Sequence, residues 1–306
     1  HFMPSFSVSP VTPETTSVLP PKALNQCHQI HGSKSRLTCL QWNVGGLSTH
    51  RLDEIKVWLS QQQVHIVTLL ETRWQYTGEW LDSQWIHVHS GSLEDRGMGI
   101  LTLISRKLCQ PHALRWTEAI VGRLLHLRVP LQNRSIDIVC GYQHVDKRGP
   151  QCMQRREHWW GCLDRTLQGL PHRNMLMLMA DFNTNVPPCP SHSGSDQYWW
   201  RGLLVRGSQH QDAGRLISIL RFHGLVVLNS WNSRDGPTYV HGQHSSRIDF
   251  GCARKSQVDG IAKQPRYLWQ APFMGTTQQG HVPIVHQIAL FWAPTRLLKQ
   301  GNIRSE

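Results

Sequence analysis

One stretch constrains this chain more than any other. Met175-Leu176-Met177-Leu178-Met179 is an unbroken apolar run, preceded by Arg173 and Asn174 and followed by Ala180-Asp181-Phe182-Asn183-Thr184. A run of that length and purity reads as a strand buried on both faces of a sheet. It ends in an acid, an aromatic and an amide. Alternation along an extended chain puts the Asp181 and Asn183 side chains on one side, about 7 Å apart. A carboxylate and a carboxamide projecting together from a sheet edge suit a water or a phosphate oxygen. An isolated D-x-N also caps turns, and the run alone does not choose between these readings.

Three hundred and six residues hold one large α/β domain or two ordinary ones. Thirty-two Lys and Arg against 20 Asp and Glu give a net charge of +12 and a pI near 9.7. That surplus favours a polyanionic partner, nucleic acid or a membrane surface. It is scattered rather than gathered in one run, so any footprint is a broad face. No stretch reaches the apolar length of a membrane span, and Pro, Ser and Thr stand where a secretory signal needs an apolar core. The eight cysteines include no C-x-x-C pair, and Cys39, Cys140 and Cys252 fall inside predicted strands. These features predict a reduced, intracellular protein rather than a disulfide scaffold or a secreted chain. Cys27, His28 and His31 lack the second pair of ligands that a zinc site needs.

Residues 1–34 are rich in Pro, Ser, Thr and Gln and predict a flexible leader; 35–292 form the folded domain, and 293–306 a basic tail or linker. Strands are predicted at Leu37–Trp42, Val64–Leu70, Gly97–Ile104, Leu124–Val129, Ser135–Gly141, Leu225–Leu228, Arg247–Ala253 and Pro283–Phe291. Leu52, Ile55 and Leu59 recur at helical spacing, with Asp53 and Glu54 in the expected first turn. Met153, Trp160, Leu163 and Leu167 mark a second helix stopped by Gly169 and Pro171, and Leu216 to Phe222 a third ending at Gly224. Because several strands follow one another directly, the sheets should be mixed, and one domain of two packed sheets flanked by helices fits best. Trp74, Trp80 and Trp85 read as packing residues, and every histidine but His281 as a surface or loop residue.

Polar groups stand at the strand ends: Asn43, Glu71, Tyr142, Asp181 with Asn183, Asp249 and His281. Any one has a dull explanation. Together they are harder to dismiss, because loops at one edge of a sheet are where sites assemble.

In this setting the chain resembles the endonuclease/exonuclease/phosphatase superfamily of metal-dependent phosphoesterases. Gln41-Trp42-Asn43-Val44-Gly45-Gly46 is similar to its opening W-N-x-x-G, and Leu70-Glu71-Thr72-Arg73 to Q-E-T-[KR]. Ala180-Asp181-Phe182-Asn183 is similar to G-D-F-N, Ser246-Arg247-Ile248-Asp249-Phe250 to S-R-I-D-[YF], and Gly280-His281-Val282-Pro283-Ile284 to S-D-H-x-P-[IV]. The motifs keep family order across residues 37–291. The resemblance implies a four-layer α/β sandwich, two packed mixed β-sheets flanked by helices, and hydrolysis of phosphodiesters with Mg²⁺ (Mn²⁺ as a substitute). Carried over, Glu71 is the main metal ligand with Asn43 beside it, and Asp181 orients or deprotonates the attacking water. Asn183 and His281 contact the phosphate, and Asp249 pairs with His281. Such roles are physically coherent: Mg²⁺ takes hard oxygen ligands and keeps several waters, and a carboxylate beside His281 would keep it charged.

Tyr142 stands where abasic-site and retroelement endonucleases of the family carry a tyrosine, with His144 leaving the register open. Thr238-Tyr239 is similar to the threonine–aromatic pair of retroelement enzymes. The implied protein is the endonuclease domain of a non-LTR retrotransposon polyprotein, excised from a longer chain, with DNA as partner and a reverse transcriptase domain in the same polyprotein. Arg73, Trp199, Trp200 and Arg201 are candidate DNA contacts, although the tryptophan pair reads equally as a hydrophobic plug. Two positions depart from the pattern: Gly45, where abasic-site enzymes often carry an acid, and Gly280, which replaces the Asp of S-D-H. A phosphatase or lipid phosphodiesterase on the same fold, and a decayed DNA-binding module, stay open as alternatives.

Overall fold

A computed structural model describes residues 36–131, 134–145, 149–186, 200, 212–231, 236–274 and 279–290. The predicted leader and tail, the Cys27–His31 cluster, Trp199 and Arg201 lie outside the described residues. The chain opens with β1 (Arg36–Asn43), α1 (Thr49–Leu59), β2 (Ile66–Leu70), β3 (Gly78–Leu81), β4 (Trp85–Ser90) and β5 (Ile100–Ser105). It continues through β6 (Arg115–Ile120), β7 (Leu124–Leu131), β8 (Arg134–Tyr142), α2 (Pro150–Gln168) and β9 (Met175–Asp181). After α3 (Ala213–Phe222) come β10 (Leu225–Val227), β11 (Tyr239–His241), β12 (His244–Ser246) and β13 (Asp249–Arg254). The described part closes with β14 (Arg266–Tyr267), β15 (Gly280–His281) and β16 (Ile284–Ala289).

These strands make a seven-stranded sheet in the order β14-β16-β1-β2-β5-β4-β3 and a six-stranded sheet in the order β10-β13-β9-β8-β7-β6. A small third sheet has the order β12-β11-β15. Both large sheets are mixed: β1 with β2 and β8 with β9 are parallel, and the other pairings are antiparallel. The apolar run therefore sits inside its sheet, between β8 and β13, and all seven residues of β9 are buried.

Period-2 alternation sorts its side chains into two cores. Met175, Met177 and Met179 face the seven-stranded sheet and pack with Leu37, Cys39, Ile66 and Ile288. Leu176, Leu178 and Ala180 face outward and are covered by Trp159, Trp160 and Leu163 of α2 and Leu216 and Leu220 of α3. On the outer face of the other sheet, Leu40, Trp42, Val67 and Leu101 receive Leu52, Ile55 and Leu59 of α1. Helix, sheet, sheet, helix is the four-layer α/β sandwich that the resemblance implied.

Several expectations are corrected. Ser48 caps α1, its side chain accepting the Arg51 N–H, so the helix starts at Thr49 and no acid stands in its first turn. β3, β4 and β6 were not foreseen, because their short runs mix polar and apolar residues. His87, His89 and His286 are buried rather than superficial. His286 points into the space between the sheets, where only glycine fits opposite: a Cβ on Gly251 would lie 2.5 Å from the imidazole. Cys39, Cys140 and Cys252 are buried free thiols, as expected.

Candidate active site

The strand-end groups converge because they share one parity. Tyr142, Asp181 and Asp249 occupy neighbouring strands at the same register, Asp181 being paired with Tyr142 on one side and Asp249 on the other. All three follow the inward-facing positions of their strands, so their side chains gather where the two sheets part. Asn43 ends β1 in the facing sheet and closes the gap, its Nδ2 donating to Asp181 Oδ2 at 2.9 Å. Its Oδ1 accepts the Gly45 N–H, where positive φ at Gly45 and Gly46 turns the chain out of the strand.

His281 arrives from the small third sheet. β15 pairs His281 with Tyr239, and Trp42 Nε1 donates to the His281 carbonyl at 2.8 Å. The ring is then held by Asp249, whose Oδ2 is 2.9 Å from His281 Nδ1, while His281 Nε2 lies 3.9 Å from Asp181 Oδ2. Thr238, the residue before Tyr239, accepts the N–H groups of Ile248 and Asp249 through its hydroxyl. That side chain fixes the backbone that carries the aspartate.

Glu71 follows β2 with φ +57°, in a loop pinned by backbone bonds from Gly46 to Glu71 and from Leu47 to Thr72. Buried His89 holds the same loop from beneath, with Nε2 2.8 Å from the Thr72 hydroxyl and Nδ1 2.5 Å from the Tyr76 carbonyl. Those partners fit a neutral ring that donates to the carbonyl and accepts from the hydroxyl. Burial pushes His89 down to about 4, in agreement. Glu71 accepts from the Tyr142 hydroxyl at 2.9 Å and from Arg73 at 2.6 Å.

Burial and neighbouring charge set the protonation states. Asp181 is raised to about 7, first by burial and then by the Asp249 carboxylate. Burial alone would depress His281, but the Asp249 carboxylate and its hydrogen bond outweigh it and lift the ring to about 9. Tyr142 is raised by burial and by Glu71, so it remains a neutral hydroxyl donor.

One cavity of about 400 Å³ is lined by Asn43, Glu71, Arg73, Tyr142, Asp181, Asn183 and His281, with Asp249 directly behind His281. Two expected features differ. β9 stops at Asp181, and Asn183, with φ +46°, donates its N–H to Asp181 Oδ1 at 3.0 Å, so this carboxylate caps a turn as well as facing the cavity. The Asn183 carboxamide nitrogen is already given to the Gln143 carbonyl at 2.8 Å. Trp200 is 1 % exposed and packs in the core beneath α2 and α3, which corrects its reading as a DNA contact. Burial leaves it no free face to offer a base.

Sequence reading missed Asn229, whose buried side chain donates to the Asp249 carbonyl and accepts the Gly251 N–H. It also missed Arg123, which stacks 5.0 Å from the Tyr142 ring. Asn229 carried the same signal as the others, a polar residue directly after a buried strand. Arg123 carried none.

A two-sheet α/β sandwich opening onto a cavity with a buried acid, a charged histidine and its carboxylate has the groups that acid–base chemistry requires. Residues 40–250, more than half of the chain, match the sequence model of the Endonuclease/Exonuclease/phosphatase family, and the chain belongs to that family. No curated protein matches the sequence. Among solved structures, the endonuclease domain of TRAS1, a telomere-specific non-LTR retrotransposon, is similar, with a TM-score of 0.56 and 16 % identity over 84 % of this chain and 99 % of that one. The AP endonuclease LMAP from Leishmania major gives 0.58 and 13 %, covering 83 % and 88 % of the two chains. The Xenopus laevis APE2 catalytic domain gives 0.60 and 12 %, covering 83 % and 92 %. At these identities the likeness establishes the fold.

Proposed function

We propose that the protein is a divalent-metal-dependent endonuclease that nicks DNA, acting as the endonuclease domain of a retroelement polyprotein. The observation that carries this reading is the placement of Asp181 between Asn43, Asp249 and His281, on the cavity that also holds Glu71. In this reading Asp181, poised near neutrality, takes a proton from the attacking water; a base with such a pKa is effective at physiological pH. His281, kept charged by Asp249, donates from Nε2 to a non-bridging phosphate oxygen, on which negative charge builds as the water attacks. The leaving oxygen departs with its bonding pair and takes a proton from solvent. Tyr142 fixes the Glu71 carboxylate.

The donors at Glu71 and Asn43 fit a hard cation: both offer oxygen, each oxygen accepts a single hydrogen bond, and the cavity is open to solvent. Mg²⁺ or Mn²⁺ held there supplies positive charge to the phosphate and needs few protein ligands, because it keeps several waters. Asp181, Asp249 and His281 also bring ligand atoms within 4.8 Å of one another. A histidine held protonated offers no lone pair to a metal, so we read that trio as the acid–base apparatus.

Support for DNA as substrate comes from the +12 charge. Thr238-Tyr239 and Tyr142 support the retroelement branch, with an accompanying reverse transcriptase domain and action in the nucleus. A second reading, a decayed DNA-binding module, draws on Gly45 and Gly280, which leave Glu71 the lone carboxylate on the metal side. Plasmid nicking decides between them. Wild type should nick supercoiled DNA in Mg²⁺ and stop in EDTA, and Asp181→Ala should lose about 10²-fold or more in rate while still binding DNA. Absence of metal-dependent nicking in wild type would hand the decision to the decayed module.

A further inference from the structure

The cavity wall carries backbone strain that the acid–base groups do not explain. Among the described residues five non-glycine positions have positive φ, and four of them, Glu71, Arg73, Asn183 and Phe273, line this cavity. The first three belong to the loops that place the acids. Phe273, at φ +70°, has no such part. A bulky aromatic is among the residues least suited to left-handed backbone, and strain of this kind gathers at functional sites. Burial does not offset it, since the residue is 43 % exposed.

The ring is not alone. The guanidinium carbon of Arg51 stands 4.4 Å from its centroid, and both residues line the cavity that contains Asp181 and His281. Arg51 Nη1 donates to the Gly46 carbonyl at 3.0 Å, which fixes the guanidinium, and the side chain is only half-buried where it lines the cavity. An exposed aromatic beside a fixed, half-buried guanidinium is what a nucleotide needs: a π-face for the base and a charged donor for the phosphate. A lipid tail would not call for the cation, nor inorganic phosphate for the ring.

We propose that Arg51 and Phe273 form a nucleotide subsite at the rim of the cavity, Phe273 stacking on a base next to the bond to be cut and Arg51 holding that nucleotide's phosphate. This inference rests on the DNA reading given above. Stacking tolerates any base, so the subsite contributes affinity and positioning rather than sequence preference.

The test compares a fluorescently labelled oligo-dT with an oligomer of equal length made only of abasic spacer units, both titrated in EDTA so that nothing is cut. Phe273→Gly is the informative variant, because glycine accepts φ +70° without strain and the fold is retained; its melting temperature should equal or exceed that of wild type. It should lose roughly fivefold or more in affinity for oligo-dT while binding the abasic oligomer within about twofold of wild type. Arg51→Gln should weaken both. Equal loss on the two oligomers, or no loss on either, overturns the subsite even if plasmid nicking is intact. If wild type binds neither oligomer and does not nick, the DNA reading falls and the subsite with it.

Discussion

His281 lies between two carboxylates that act on it differently. Asp249 takes its Nδ1 at 2.9 Å, and Asp181 approaches Nε2 at 3.9 Å. The first contact keeps the ring charged to about pH 9 against the pull of burial. In Asp249→Asn that support is lost, and the alkaline limb of the rate–pH profile should move toward neutrality by about one pH unit or more. A limb that stays in place would mean that Asp249 does not set the charge of His281. Gly280 tests a different point. A side chain there meets no atom within 4 Å, but its φ of +97° disfavours any residue except glycine. Gly280→Asp should therefore lower the Mg²⁺ concentration needed for nicking and also cost about 1 kcal/mol or more in urea denaturation. An unchanged metal titration would place this position away from the metal.

Elements explain why such groups can be held in place at all. β9 is gripped on both faces, by methionines against the opposite sheet and by aliphatic residues against α2 and α3. Its last residue is therefore a fixed platform, and β8 and β13 present Tyr142 and Asp249 at the same level. The space between the sheets also takes in polar side chains, Gln41, Thr68, Thr102 and His286 among them. Among the described residues neither nitrogen of His286 has a hydrogen-bond partner, and burial depresses the ring to about 3. The unfolded chain binds that proton near pH 6.5 while the native state refuses it down to about 3. The native state is accordingly stable above this window and loses stability as the pH falls through it. His286→Leu, of similar size, should raise stability at pH 5 by about 1 kcal/mol or more and flatten the decline with acid, read from urea midpoints at pH 5 and pH 7. A mutant that tracks wild type at both pH values would mean that the ring is satisfied in some other way.

The whole molecule contributes charge. With 32 basic and 20 acidic residues, binding to a polyanion should release counterions and weaken steeply with salt. DNA affinity should fall about tenfold or more between about 50 and 200 mM salt. A flat response would favour the small-phosphoester alternative. The same scale decides between the two readings of Trp200, in favour of the hydrophobic plug. A W-W pair beside arginines has the composition of a nucleic-acid contact, yet Trp200 fills the core between helix and sheet, where its area is worth more buried than exposed.

The amino-acid sequence determined most strands of the two large sheets and the identity of the polar groups at their ends, because apolar runs and period-2 alternation are local properties. It also marked Asp249 as the partner of His281, through the family pattern. Register and packing decided the rest. Only strand pairing puts Tyr142, Asp181 and Asp249 in one row, and only the meeting of two sheets brings Asn43 to Asp181 across 138 positions of chain. The burial of His286, His89 and Trp200, the anchoring of Arg123 on Tyr142 and the strain at Phe273 likewise arise from contacts between segments far apart in sequence. No local signal encodes them, since burial and backbone strain depend on what the rest of the fold brings alongside.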